Sequence, residues 1–113
     1  MGKPQRTFNV RLKDGPYELY FDNRALFEFE EKHGQMALKV LMSGEFGFRA
    51  ITHFVWAGLL HRDKPVHLEK VKDLVEVNRM ESIKEVIIAA LNDAFDTGDE
   101  PEPSSEKKAT GRD

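Results

Sequence analysis

Cysteine is missing altogether from the 113 residues. That excludes disulfides, thiolate metal sites and cysteine nucleophiles, and it fits a chain that works in a reducing compartment. Long apolar runs are missing too. The longest, at 54–60 and 86–91, fall far short of the roughly 20 residues that a membrane-spanning helix needs. Positions 1–12 hold no apolar stretch of the signal-peptide kind. The chain is therefore expected to be neither membrane-inserted nor secreted.

An excess of positive charge is also lacking. The formal net charge is -3, with acids and bases interspersed, so nucleic acid is not the expected partner. Arg6, Arg11 and Lys13 gather near the N-terminus and are read as a solvated strand face. No glycine-rich phosphate loop occurs, because Gly44-Glu45-Phe46-Gly47 lacks the lysine and hydroxyl residue that must follow. No serine stands in a nucleophile-elbow context.

The four histidines form no His-x-x-x-His pair. His53 and His61, eight apart on one expected helix, would lie about 12 Å apart along its axis, too far for one ion. A site of His61 and His67 with Asp63 or Glu69 is weaker than the reading as surface or capping histidines, which helix ends near His33 and His61 favour. Glu28, Glu30, Glu31, Glu81 and Glu85 read as solvated helix faces. No catalytic residue, metal ligand or cofactor is expected, and the chain reads as a binding protein rather than an enzyme.

Alternation is the first positive signal. Phe8, Val10 and Leu12 share one face of a strand over 7–12, and Tyr17, Leu19 and Phe21 share one face of a strand over 17–21, after a break at Asp14-Gly15-Pro16. An isolated ribbon is marginal in water, so the helices that follow must cover it. Asp22 is a helix N-cap and Gly34 a C-terminal stop, giving a helix over 23–33. Its Leu26 and Phe29 face the ribbon, and Phe27 lies on a flank.

A short, weakly amphipathic helix follows over 35–42. The most apolar one comes next, over 48–61, with Phe48, Ile51, Val55 and Leu59 on one stripe and Phe54, Trp56 and Leu60 widening it. Gly58 inside this helix costs roughly 1 kcal/mol relative to alanine, which predicts that another backbone approaches there. Leu68, Val71, Leu74 and Val75 mark a fourth helix. The helix over 82–95 has the clearest period: Ile83, Val86, Ile87, Ala90, Leu91, Ala94 and Phe95.

The expected fold is α+β: an N-terminal β-hairpin packed on a bundle of four to five helices in a single domain over 1–96, with a disordered acidic tail over 97–113. That tail has one apolar residue, Ala109, and carries five acids against three bases. Among the many aromatics, Phe46 and Phe48 stand beside Gly44 and Gly47, a pattern suited to an adaptable contact loop. With Trp56 and Phe27 they are the expected partner-binding residues.

The order of these features resembles the tail assembly chaperones of long-tailed phages and gene transfer agents. The segment from Gly15-Pro16-Tyr17-Glu18-Leu19-Tyr20-Phe21 through Asp22-Asn23-Arg24-Ala25-Leu26 looks like that family's strand into first helix, closed by Glu30-Glu31 and Gly34. Trp56-Ala57-Gly58-Leu59-Leu60-His61 is similar to its central helix, and the stretch from Ile87 to Phe95 to its alanine-rich last helix. Coverage runs from Val10 to Phe95. The loop from Met42 to Phe48 departs from the small polar entry of the family.

The resemblance implies a protein without catalysis that binds the tape measure protein in the cytoplasm of a bacterial host and assists assembly of the tail tube protein. It implies self-association, and often a frameshifted long form, for which Glu106-Lys107-Lys108 is the candidate slippage point. A structural virion component, such as a head-tail connector or tube subunit, is the alternative; a small DNA-binding regulator is a more distant one, because the helix over 48–61 carries only Arg49 as a fixed cation.

Overall fold

A two-residue turn at Lys13-Asp14 folds the N-terminal segment back on itself in the computed structural model, which describes residues 6–95. The expected tail over 97–113 lies outside the described residues. Strands β1 (Phe8–Leu12) and β2 (Gly15–Leu19) pair antiparallel, with Phe8 opposite Leu19 and Val10 opposite Tyr17. Gly15 leaves the turn at φ +139°, a conformation closed to most side chains.

The second strand thus begins two residues before its expected start and includes Pro16, opposite Arg11. Proline is tolerated there because its imide nitrogen has no ladder bond to make on the outer edge of a two-stranded ribbon. Phe21 falls beyond the strand but is buried, edge-on to Phe54 with ring centroids 6.1 Å apart.

Helix α1 (Asn23–His33) starts where Asp22 Oδ1 accepts from the Ala25 amide at 2.9 Å and ends at Gly34, φ +83°. Helix α2 (Ala37–Ser43) begins two residues later than the sequence suggests. Its first amide, that of Ala37, donates to Glu30 Oε2 at 2.8 Å, so α1 supplies the cap that Met36 cannot.

Helix α3 (Phe48–Gly58) ends three residues short of the expected His61. The reason is a competing acceptor role: the Gly58 carbonyl receives the Tyr20 amide at 2.9 Å, and the chain tightens into i−3 bonds from Leu59 and Leu60 to Trp56 and Ala57. The expected close approach at Gly58 is real. A methyl group there would lie 3.1 Å from Leu19 Cβ, Leu19 Cδ2 and Phe21 Cζ.

Helix α4 (Leu68–Leu74) gives its last carbonyl to the Lys13 amide at 2.8 Å, tying the far end of the ribbon to the helices. A single 3₁₀ turn (Val77–Arg79) leads into α5 (Met80–Phe95), which packs on β1 through Ile83, Ile87, Ala90 and Leu91. The fold is α+β, as expected.

The core lies between ribbon and helices and is centred on the stacked Phe29–Phe54 pair, 3.8 Å between centroids and 5° between planes. Both rings are fully buried, with Leu12, Leu19, Ile51, Val55, Leu59 and Val71 around them. Each such side chain contributes about 1.5–3 kcal/mol through burial. Two residues on expected core stripes depart from this: Phe48, the first residue of α3, is 40% exposed, and Phe95, the last of α5, is 42% exposed. Among the described residues no helix is long and apolar enough to cross a membrane.

Candidate partner-binding surface

Helix α1 buries Ala25, Phe29 and His33, spaced four apart and so on one stripe. Phe27 is two residues from both Ala25 and Phe29, about 200° around the helix. It therefore points away from the core and is 63% exposed. On α2, Ala37 and Val40 turn inward while Leu38 and Met42, four apart, turn outward. Met42 is 77% exposed, and Met36 and Phe48 also present apolar surface. Among the described residues, five of the seven exposed large apolar side chains thus fall between positions 27 and 48; the other two are Val77 and Phe95.

The four residues singled out from sequence divide in two. Phe27 and Phe48 are exposed. Phe46 is half-buried, stacked on Phe54 with centroids 5.5 Å apart and with Lys84 Nζ 5.9 Å above its ring. Trp56 is half-buried against the core, with Lys32 Nζ 5.6 Å from its ring centroid. The loop between α2 and α3 therefore turns its aromatic, Phe46, inward, while the first residue of α3, Phe48, faces outward. Sequence reasoning missed Met36, Leu38 and Met42. Their signal was the weak amphipathy of α2, which comes from apolar residues on both of its faces.

The histidines also differ from expectation. His33 and His53 are buried together between α1 and α3, Nδ1 to Nδ1 2.9 Å, their rings nearly perpendicular at 84°. One Nδ1 must donate and the other accept, so at least the accepting imidazole is neutral. Burial pushes the His53 pKa down to about 4, helped by His33, Arg49, Lys32 and Lys72. Burial, then Arg49, lowers that of His33. The helix-end charge expected for His33 is overridden by its place on the buried stripe, stacked on Phe29 at 4.8 Å. His61 likewise caps no helix end in this contact: its Nε2–H donates to the carbonyl of Glu18 in β2 at 2.9 Å.

An open depression lined by Asn9, Pro16, Tyr17, Glu18, His61 and Arg62 lies on the ribbon's outer side. Its polar heads engage one another. The Tyr17 hydroxyl donates to Asp14 Oδ2 at 2.9 Å, and Arg62 lies 5.2 Å from the centroid of the Tyr17 ring. Burial, and then Asp14, raise the Tyr17 pKa. Among the described residues no group of three or more histidines, aspartates and glutamates is placed to hold a metal ion. The exposed apolar residues of α1, α2 and the start of α3 are the more distinctive feature.

In comparisons with protein-family models, curated proteins and solved structures, nothing matches this chain.

Proposed function

We propose that the protein is a tail assembly chaperone of phage type, which holds an apolar helical segment of a tape measure protein in solution while tail tube assembles around it. The observation that supports this most is the concentration of exposed apolar side chains between Phe27 and Phe48, two of them methionines. Unbranched thioether side chains adapt to varied apolar surfaces, which suits a binder of long, irregularly apolar helices. Large exposed apolar groups clustered in one stretch of chain are otherwise a liability for a free protein.

Co-expression with the tape measure protein encoded in the same genome tests the reading. The expected result is that the partner stays soluble and co-purifies, and that Phe27→Ser with Met42→Ser abolishes co-purification while the chain still folds. A partner equally soluble with and without the chain would overturn it. Presence of the protein in finished particles would favour a structural virion component instead.

A further inference from the structure

Sulfur chemistry in this chain is confined to methionine, because there are four methionines and no cysteine. Three of them, Met36, Met42 and Met80, lie among the described residues, and the fold shields them unequally. Met80, the first residue of α5, is half-buried and packed against the core. Met36 is 59% and Met42 77% exposed. Both belong to α2, one at its N-cap and one in its last turn. They bracket Leu38 and form part of the apolar surface that α1, α2 and the start of α3 present.

A thioether so placed is open to peroxide. A sulfur lone pair attacks one peroxide oxygen, the O–O bond breaks as the S–O bond forms, and the transferred oxygen gives its proton to the departing hydroxide. The products are a sulfoxide and water, and sulfur loses the two electrons that the peroxide gains. Sulfoxide reductases with a dithiol reverse the change, returning the oxygen as water and leaving the reductant as a disulfide. No cysteine of the chain competes for the oxidant.

The consequences differ between the free and the bound chain. In the free chain both sulfoxides stay in water, so their polarity costs the fold little. Against an apolar partner each becomes a hydrogen-bond acceptor buried without a donor, which weakens binding on the order of tenfold per group. The sulfoxide is also polar and chiral, so the thioether's capacity to mould itself to an irregular apolar surface is lost. Oxidation at these two positions therefore alters binding and spares folding.

We propose that Met36 and Met42 form a reversible, peroxide-sensitive modification site, whose conversion to sulfoxide switches off the apolar binding surface around α2. The inference rests on the reading of that surface as the partner-binding one and adds its regulation.

Dilute hydrogen peroxide on the full chain, followed by mass spectrometry of its peptides, tests the site without any partner. Met36 and Met42 are expected to oxidise several times faster than Met80, and all three at similar rates once the chain is unfolded in urea. The thermal midpoint should stay nearly unchanged while the first two are converted. The doubly oxidised chain should then hold the tape measure protein roughly a hundredfold more weakly. Binding should return after treatment with both sulfoxide reductases, one for each epimer, and dithiothreitol. Met36→Leu with Met42→Leu, whatever its own affinity, should lose nothing further to peroxide.

Oxidation of Met80 as fast as the other two in the folded chain would overturn the proposal, as would undiminished binding by the doubly oxidised chain. A thermal midpoint that falls in step with oxidation would replace the switch with unfolding. Failure of the unoxidised chain to hold the tape measure protein would overturn the binding role on which the switch depends, whereas the order of oxidation, read without a partner, would still identify the modification site.

Discussion

The Nδ1 atoms of His33 and His53 meet at 2.9 Å across the junction of α1 and α3, a contact that is lost once both rings are protonated, because no acceptor nitrogen is then left. In the folded chain the His53 pKa is pushed from 6.5 to about 4, and that of His33 is lowered as well. In the unfolded chain both return to the ordinary value, so between about pH 6.5 and 4 the unfolded state binds more protons than the folded one. Stability is therefore full above pH 6.5 and falls as the pH drops toward 4. The midpoint of thermal unfolding should decline by several degrees from pH 7 to pH 4.5, and His53→Phe should flatten that slope. An unchanged slope in the variant would show that the carboxylates alone set the acid sensitivity.

Helix α5 is secured by its inward stripe. Replacing Ile87 or Leu91 by alanine, both fully buried, should cost about 2 to 5 kcal/mol, measured by urea unfolding. A loss below about 1 kcal/mol would mean that the α5 face relaxes freely around the cavity.

At Gly58 two effects oppose each other. Alanine is favoured over glycine in a helix interior by up to about 1 kcal/mol, but Gly58 ends α3, where that gain shrinks. The added methyl would press on Leu19 Cβ at 3.1 Å, an atom fixed to its backbone, and overpacking of this kind costs about 1–3 kcal/mol. Gly58→Ala is expected to be destabilising, with a lower denaturant midpoint and an unchanged slope.

Phe46 and Phe48 should separate cleanly. Phe46→Ser removes a ring stacked on Phe54 and should lower stability by more than about 1 kcal/mol. Phe48→Ser removes an exposed ring and should change stability by about 0.5 kcal/mol or less. Calorimetry on the two variants decides it.

The ribbon, the caps of α1 and the inward stripe of α5 are legible in the sequence because each depends on neighbours no more than a few turns away; the close approach at Gly58 is legible because a glycine within an apolar helix is itself a signal, although its partners are distant. The missed features depend on distant partners. The end of α3 is set by Tyr20, and the start of α2 by a carboxylate from α1. His33 departs from the expected helix-end role because its spacing of four from Phe29 puts it on the buried stripe of α1. Phe46 and Phe48, two apart beside glycines, looked equivalent; only the location of Phe54 distinguishes them.

The bonds that fasten the ribbon reach far along the chain: Tyr20 to Gly58, Lys13 to Leu74, Arg6 to Asp93. The ribbon leaves the ribosome before any of its anchors has been made, and a lone hairpin has little stability of its own. During translation the anchors arrive in the order Gly58, Leu74, Asp93, and the α5 face that packs on β1 comes last, so completion of the ribbon's packing is a late event rather than a stepwise growth from the first strand. A stop codon or pause upstream of α5 leaves β1 without the helix that packs on it, and nascent chains of that length are the ones for which misassembly competes most strongly with the native route.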